Sequence, residues 1–284
     1  MRILIAGMGD LGAEIGRRGL ADGHEVLGLR RSAAAPPAGV LGLRADVTDP
    51  RSLDLPGGID AAVYCVAADA RDDDAYRRAY PLGLANVLGA LERSGSSAAR
   101  VLFVSSTGVY GDAGGEWVDE RTETAPPGFT GRRMCEAEAV LEASAFAGTS
   151  LRLGGIYGPG RTYLLDAVAR GQPFPADALD RWTNRVHRDD AARAVLHLLG
   201  LPEVDRAVNV VDREPARRRD VLGWIAGRVG AEIVTGGSGG VRSDPADRRV
   251  SSELLVRRGF VHRFPSFREG YAELLGSAGD AAPD

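Results

Sequence analysis

The first twelve residues, MRILIAGMGDLG (1–12), decide the fold of this chain. Their apolar run is typical of a strand that is buried on both faces of a sheet. Gly7, Gly9 and Gly12 follow this strand directly, and a helical pattern comes next. The spacing G-x-G-x-x-G is a weak signal alone, but between a strand and a helix it indicates a dinucleotide-binding loop.

Each of the three glycines has its own physical task in such a loop. Gly7 permits a tight turn, Gly9 lets the backbone approach a pyrophosphate, and Gly12 lets helix and strand pack closely. The free N–H groups at the start of the helix, where Leu11 lies, then bind the phosphates. Asp10 is an acidic residue in this phosphate site, and a role as helix cap is the alternative to a contact with cofactor.

The end of the second predicted strand discriminates between two cofactors. A site selective for NAD places an acidic residue about 20 residues beyond the glycines, where it holds the ribose 2′-OH. Arg30 stands there instead, followed by Arg31, and a guanidinium offers donors suited to a 2′-phosphate. The sequence therefore favours NADP(H), unless both arginines are only solvated. Asp46, with Val47 beside it, is placed either to reach the adenine or to form a plain turn.

The chain beyond this point alternates between strand and helix patterns. Strands are predicted at 25–29, 39–43, 60–67, 100–105, 149–153 and 207–211, and helices at 11–21, 75–93, 132–145, 189–199 and 217–229. Such alternation predicts an α/β fold with a Rossmann-type, doubly wound parallel sheet.

Composition sets limits on the class of protein. The 284 residues are 44% hydrophobic and 26% charged, so a core can form without metals or disulfides. The net charge of -4 offers no basic surface for nucleic acid. Two cysteines, Cys65 and Cys135, do not make a disulfide framework and suggest a reducing, cytoplasmic location. No stretch has the length of a signal peptide or membrane span, so no membrane partner is expected. No metal site is expected either.

Four later motifs stand in order along the chain: VSSTGVYG at 104–111, RLGGIYGPGR at 152–161, NRVHRDD at 184–190 and NVVD at 209–212. In this order they resemble the motifs of the extended short-chain dehydrogenases, the NAD-dependent epimerase/dehydratase family. The resemblance covers nearly the whole chain, to about Leu275. It implies a Rossmann domain with a small C-terminal lobe that closes over substrate.

The resemblance also implies domain limits. We expect the dinucleotide-binding domain at 1–154, the substrate lobe interleaved with late Rossmann elements at 155–275, and a flexible tail at 276–284.

The same resemblance assigns roles to matched positions. Ser106 aligns with the catalytic Ser/Thr whose hydroxyl hydrogen-bonds the substrate oxygen at the hydride-transfer carbon. Arg185 is the position at which extended members hold anionic substrates. Further cofactor contacts are implied for Val66, Ala67, Ala68, Ser105 and Ile156, and further substrate contacts for Thr107, Thr130 and Arg133.

The sequence departs from the family at its central acid/base, Tyr-x-x-x-Lys. The matching helix reads TGRRMCEAE (130–138), which places Thr130 at the tyrosine position and Met134 at the lysine position. A threonine hydroxyl does not ionise near neutral pH, and methionine carries no charge. The usual mechanism is therefore not expected.

Three replacements for the missing pair are compatible with the sequence. Tyr110 or Tyr157 supplies a phenol from another direction, His187 serves as acid/base, or Arg132 or Arg133 supplies the fixed cation. The structural alternatives are packing roles for the tyrosines, a hydrogen bond within a loop for the histidine, and a solvated first helical turn for the arginines.

These observations predict an NADP(H)-binding enzyme, monomeric or homodimeric, that acts on a small hydroxylated or carbonyl substrate. Its chemistry would be of the oxidoreductase, epimerase or dehydratase type, with the nicotinamide carrying the reaction. Because Tyr and Lys are missing, two alternatives stay open. One is a non-catalytic NADP(H)-binding sensor or regulator, and the other is a non-redox lyase, isomerase or cyclase on the same scaffold.

Overall fold

The computed structural model describes residues 1–96, 99–203, 205–236 and 246–279. Its centre is a sheet of seven strands: β1 (Arg2–Ala6), β2 (Glu25–Arg30), β3 (Leu41–Arg44), β4 (Ala61–Tyr64), β5 (Arg100–Ser106), β7 (Ala147–Leu153) and β11 (Ala207–Val210). Their order in the sheet is β11-β7-β5-β4-β1-β2-β3, and every neighbouring pair is parallel. The predicted Rossmann-type parallel sheet is thereby confirmed.

Helices cover both faces of this sheet, as a parallel sheet requires. On one face, Ile15 of the first helix and Val195 of the sixth are buried in the core; on the other, Leu88 of the third helix and Leu141 of the fourth are buried. The helices are α1 (Asp10–Ala21), α2 (Asp73–Arg77), α3 (Gly83–Arg93), α4 (Phe129–Glu142), α5 (Tyr163–Ala169), α6 (Arg188–Leu199), α7 (Arg218–Val229), α8 (Glu253–Arg257) and α9 (Phe267–Gly279).

A third group of buried side chains lies apart from the two faces of the sheet. Leu165 of α5, Ile225 of α7 and Phe267 of α9 pack together there, with Tyr157 and Tyr271. Short strand pairs accompany these helices: β8 (Gly155–Tyr157) with β10 (Arg185–His187), β9 (Trp182–Thr183) with β12 (Ala216–Arg217), and β6 (Trp117–Val118) with β13 (Arg249–Val250).

Two predicted boundaries shift in the structure. The helix expected at 75–93 begins at Asp73, because the Asp72 carboxylate accepts a hydrogen bond from the Ala75 N–H at 2.8 Å and caps it. A π-helical turn at Arg78–Leu82 around Pro81 then separates α2 from α3. Of the tail expected at 276–284, the first four residues belong to α9, and residues 280–284 lie outside the described residues. No helix within the described ranges is both long and apolar enough to cross a bilayer.

Candidate active site

The glycine loop has the close contacts that its sequence implies. Gly7 has φ +104°, and a Cβ there would lie 2.7 Å from the backbone of Cys65. A Cβ on Gly12 would lie 2.0 Å from the Gly7 carbonyl oxygen, whereas one on Gly9 would meet nothing within 4 Å. The loop therefore packs tightly beneath two glycines and leaves open space above Gly9, where α1 begins. That space suits a pyrophosphate bound by the first N–H groups of the helix.

A cavity of about 440 Å³ opens from this space along the carboxyl ends of β1, β2 and β4. Most residues predicted to bind cofactor line it: Gly7, Gly9, Asp10, Leu11, Gly12, Arg30, Arg31, Asp46, Val47, Val66 and Ala67. Three do not, among them Ala68, which is absent from its wall, and Ser105, which is buried with its hydroxyl donating to Glu138 at 2.6 Å. Ile156 lines a second cavity instead.

The two arginines at the end of β2 differ in their surroundings. Arg31 forms a bidentate ion pair with Asp69 at 2.7 and 2.8 Å, a hydrogen-bonded contact that raises the pKa of the guanidinium and lowers that of the carboxyl. Arg30 donates to the Ser32 hydroxyl at 3.0 Å and the Ala35 carbonyl at 3.2 Å. Among the described residues, Arg30 thus has no ion-pair partner, and it lines the cavity, as do Asp46 and Asp69. Sequence reasoning missed Asp69 because it stands 38 residues from Arg31.

Asp10 is not a helix cap. The N-cap of α1 is Gly9, without any side-chain capping bond. The Asp10 carboxylate lies between two guanidinium groups instead: Arg161 Nε at 2.7 Å and Arg188 Nη1 at 3.2 Å. Its negative charge at the phosphate site is therefore compensated from outside the loop.

A second cavity, of about 610 Å³, lies between the carboxyl end of β5 and the helices of the third buried group. Six residues predicted for catalysis, substrate or nicotinamide line it: Ser106, Thr107, Thr130, Ile156, Tyr157 and Arg185. Ser106 ends β5, and its Oγ accepts a hydrogen bond from the Gly108 N–H at 3.1 Å, which leaves the hydroxyl proton free to donate. Both Ser106 and Thr130, two residues with hydroxyl groups, line this cavity.

The charge of this second cavity is of one sign. Its described lining includes no aspartate, glutamate, histidine or cysteine. It includes five arginines: Arg71, Arg161, Arg181, Arg185 and Arg218. Only Arg185 was expected from the sequence. The others come from separate loops and helices, and no sequence pattern joins them. The chain contains no lysine at all, so each of these charges is a guanidinium that does not lose its proton.

Arg185 shows that this lining suits an anion. Its side chain is buried, and one guanidinium nitrogen, Nη2, donates to the Thr183 hydroxyl at 2.7 Å. The other, Nη1, is buried without a hydrogen-bond partner among the described residues. A buried donor left unpaired is costly, and an anionic ligand would satisfy it.

The predicted site residues Tyr110 and Arg133 lie away from both cavities. Tyr110 is fully buried; its hydroxyl donates to Asn209 Oδ1 at 2.8 Å and accepts from Arg152 at 3.0 Å. Arg133 is held by Asp73, at 2.7 and 2.9 Å, and by Glu136. The structure therefore brings neither residue to substrate, because each side chain is already satisfied by protein groups. Arg132 is exposed and lines neither cavity.

His187 also has a structural environment. It is fully buried, and its Nδ1 accepts the Asp189 N–H at 3.2 Å, so that His187 is the N-cap of α6. Its Nε2 lies 3.4 Å from the Glu273 carboxylate. Burial lowers the pKa of His187 from 6.5 to about 4, so the ring is neutral at physiological pH. It does not line either cavity and is not placed to exchange a proton with substrate.

This burial predicts a pH effect on stability. Unfolded chains bind a proton on His187 below about pH 6.5, whereas the folded chain binds it only near pH 4. Stability should therefore be complete above pH 6.5 and fall by up to about 3 kcal/mol as the pH drops towards 4. Urea denaturation at pH 7 and pH 4.5 measures this loss.

The matched variant is His187→Asn, which keeps a capping acceptor but does not titrate. Its loss between the two pH values should be smaller than that of the wild type. His262, whose pKa burial also lowers, remains in both proteins. An equal pH dependence in both would contradict this role of His187.

The two positions at which the family has its tyrosine and lysine both lie on α4, but their surroundings differ. Thr130, in the first turn of α4, lines the second cavity, whereas Met134 is buried in the hydrophobic core against the sheet. Tyr157 lines the cavity, but burial raises the pKa of its phenol, and the hydroxyl donates to the Ser266 carbonyl at 3.4 Å. Ionisation of Tyr157 near neutral pH is therefore disfavoured.

Fold and site together are those of a Rossmann-type protein with a cavity at its glycine loop and an arginine-lined cavity beside it. The sequence model of the NAD-dependent epimerase/dehydratase family matches residues 3–211, and the chain belongs to that family.

Solved structures resemble the whole chain. One from Methylobacillus flagellatus, provisionally described as an NAD-dependent epimerase/dehydratase, is 40% identical, with 98% of each chain covered and a TM-score of 0.81. The Thermus thermophilus UDP-glucose 4-epimerase in complex with NAD is 23% identical, with 99% and 100% covered and a TM-score of 0.82, which supports the fold. Among curated proteins, Escherichia coli YeeZ is 37% identical over 122 residues, 42% of each chain, so the match spans less than half of its length.

Proposed function

We propose that this protein is an NADP(H)-dependent enzyme of the epimerase/dehydratase type that acts on a small, anionic hydroxylated or carbonyl substrate. The observation that carries the proposal is the second cavity. It combines the Ser106 hydroxyl with five guanidinium groups, and Arg161 lies on its wall and on that of the dinucleotide cavity. Arginines bind phosphate and carboxylate groups through paired donors. The Thermus structure is named for a UDP-sugar, a substrate with such anionic groups.

The cofactor would supply or accept hydride when bound, and the chain's residues would prepare the substrate for it. The Ser106 hydroxyl would donate a hydrogen bond to the substrate oxygen and keep its proton, and Thr130 lines the same cavity. The guanidinium groups hold the anionic part of the substrate and stabilise negative charge on the reacting oxygen, because fixed donors act strongly in an enclosed site. Since arginine does not release a proton, that oxygen exchanges its proton with water.

A preference for NADP(H) rests on Arg30. Its guanidinium lines the adenine end of the cavity without an acidic partner among the described residues, where a 2′-phosphate would bind. We expect Arg30→Asp to weaken NADPH binding about 30-fold and NADH binding by less than about threefold, because a charge-assisted contact is replaced by repulsion. Fluorescence titration with both reduced cofactors measures the two dissociation constants. Equal losses for NADPH and NADH would contradict the 2′-phosphate contact.

One observation favours the second candidate function, a non-catalytic NADP(H) sensor. None of the described residues on the substrate cavity wall is an acid or base that ordinarily titrates near neutral pH. A sensor needs the cofactor cavity and a closing lobe, but no proton exchange.

Turnover separates these candidates. The enzyme should be tested with NADPH and ketones, and with NADP⁺ and alcohols, each substrate in a phosphorylated or carboxylated form and in an uncharged form. We expect a change in absorbance at 340 nm, from either free or enzyme-bound cofactor. We also expect kcat/KM to be at least about tenfold higher for the anionic form of a substrate than for its uncharged form. Cofactor binding without any turnover would support the sensor, and substrate conversion without a 340 nm change would support a non-redox lyase or isomerase.

A further inference from the structure

Arg161 is the one residue, among those described, that lines both cavities. It lies in the turn between β8 and α5, where Gly158 has φ +143° and Gly160 has φ +76°, and its N–H donates to the Gly158 carbonyl at 2.8 Å. The side chain is 40% exposed. This turn holds the guanidinium against Asp10 at the beginning of α1, and Arg161 lines the same cavity as Gly9.

The present partner of Arg161 is Asp10, whose carboxylate it meets at 2.7 Å. Asp10 is the first residue of α1 and has a second cation, Arg188. Arg188 is largely buried and is held in place by the Asp189 carboxylate at 2.9 Å and the Pro159 carbonyl at 2.9 Å. Asp10 would therefore keep a fixed counter-ion if Arg161 moved. The more exposed Arg161 is the one of the two that has freedom to change partner.

We propose that Arg161 binds the dinucleotide pyrophosphate, exchanging the Asp10 carboxylate for it when the cofactor enters. This proposal rests on the dinucleotide site of the proposed function. The pyrophosphate would occupy the space above Gly9, next to Asp10, and would bring about two negative charges against the single charge of the carboxylate. A guanidinium pairs with either group, and the more highly charged one is favoured.

Asp10 then acts as a competitor of the cofactor. It adds negative charge beside the phosphates, which weakens their attraction to the N-terminus of the helix, and it holds Arg161 while the site is empty. Removal of Asp10 and removal of Arg161 should therefore have effects of opposite sign. A merely structural ion pair would give the same sign, because either substitution breaks the same contact.

The experiment is isothermal titration of ADP-ribose, which carries the pyrophosphate but no nicotinamide, into wild type, Arg161→Gln and Asp10→Asn. We expect about tenfold weaker binding for Arg161→Gln and about two- to fivefold tighter binding for Asp10→Asn, given charge-assisted contacts at a helix N-terminus. Arg132→Gln is the matched control, since Arg132 is exposed, lines neither cavity and should leave the affinity unchanged. Arg161→Lys, which keeps the charge without the paired donors, should lie between wild type and Arg161→Gln.

Two results would overturn the proposal for Arg161, and a third would overturn the proposed function as well. Binding to Arg161→Gln within twofold of wild type would overturn the proposal, and so would equal weakening by Asp10→Asn and Arg161→Gln. In both cases the dinucleotide site itself would stand. No binding of ADP-ribose to folded wild type would instead overturn the proposed function together with this inference. Thermal denaturation of each variant establishes that it is folded.

Discussion

Gly9→Ala should leave the fold unchanged and weaken NADPH binding by at least about tenfold. An alanine Cβ at this position meets nothing within 4 Å, and the backbone φ of −78° is one that alanine adopts freely. The methyl group would instead occupy the space where the pyrophosphate approaches the backbone. A loss of binding without a loss of stability would identify this open space as part of the ligand site. Fluorescence titration and thermal denaturation measure the two quantities.

Gly12→Ala is the matched variant, and its effect should fall on stability first. The added Cβ would lie 2.0 Å from the Gly7 carbonyl oxygen, which is backbone and cannot swing aside as a side chain would. We expect a loss of about 3 kcal/mol in the free energy of unfolding, at the upper end of overpacking effects, because helix and strand must separate. If Gly9→Ala bound NADPH like wild type, the open space would not be a phosphate site. If Gly12→Ala were as stable as wild type, close packing of helix and strand would not depend on this glycine.

Ser106→Ala should lower kcat by about 100-fold while the dissociation constant of NADPH stays within about twofold, since hydroxyl donors to a developing oxyanion contribute effects of this size. The Ser106 hydroxyl lines the substrate cavity with its proton free, and it does not line the dinucleotide cavity. Steady-state kinetics with the best of the ketone or alcohol substrates measure kcat, and cofactor titration measures the dissociation constant of NADPH.

Ser105→Ala is the control for the loss of a hydroxyl on the same strand. Ser105 is buried and donates to Glu138, which also pairs with Arg152 at 2.7 Å. Its substitution should reduce stability by about 1 kcal/mol and leave kcat nearly unchanged. Full activity in Ser106→Ala, or an equal loss of kcat in both variants, would contradict the assignment of Ser106.

The parallel sheet and the glycine loop could be predicted because both are local patterns. A strand, three glycines at fixed spacing and a helix are read within the first 21 residues, and the sheet then follows from alternation of strand and helix. The limits of elements were less predictable. Asp72 begins a helix two residues early through its own capping bond, and Pro81, which has no N–H to donate within a helix, lies in the π-helical turn that separates α2 from α3.

The motifs placed Ser106 and Arg185 at the site, but they did not show which neighbours face the cavity. Tyr110 and His187 belong to the same motifs, yet each is buried and hydrogen-bonded within the core. A motif gives the position of a residue along the chain, whereas burial depends on what packs against it from elsewhere. Ser105 and Ser106 are adjacent in sequence, but successive side chains of a strand point to opposite faces of the sheet, so the two serines have different neighbours.

The arginine lining could not be predicted from the chain because it is assembled from distant segments. Arg71 follows β4, Arg181 precedes β9, and Arg218 begins α7. Each has the appearance of an ordinary surface charge in sequence. Their common cavity exists only after the sheet and the third buried group come together. The same holds for Arg161, whose partner Asp10 is 151 residues away.

The measurement that tests the central claim most directly is a titration of the wild-type protein with NADPH and NADH, followed by nicotinamide fluorescence. We expect saturable binding of one NADPH per chain, with a dissociation constant at least about tenfold below that of NADH, because the proposed contact of Arg30 with a 2′-phosphate is available to NADPH alone. Absence of saturable binding for both cofactors would contradict the dinucleotide site. Tighter binding of NADH than of NADPH would contradict the NADP(H) preference.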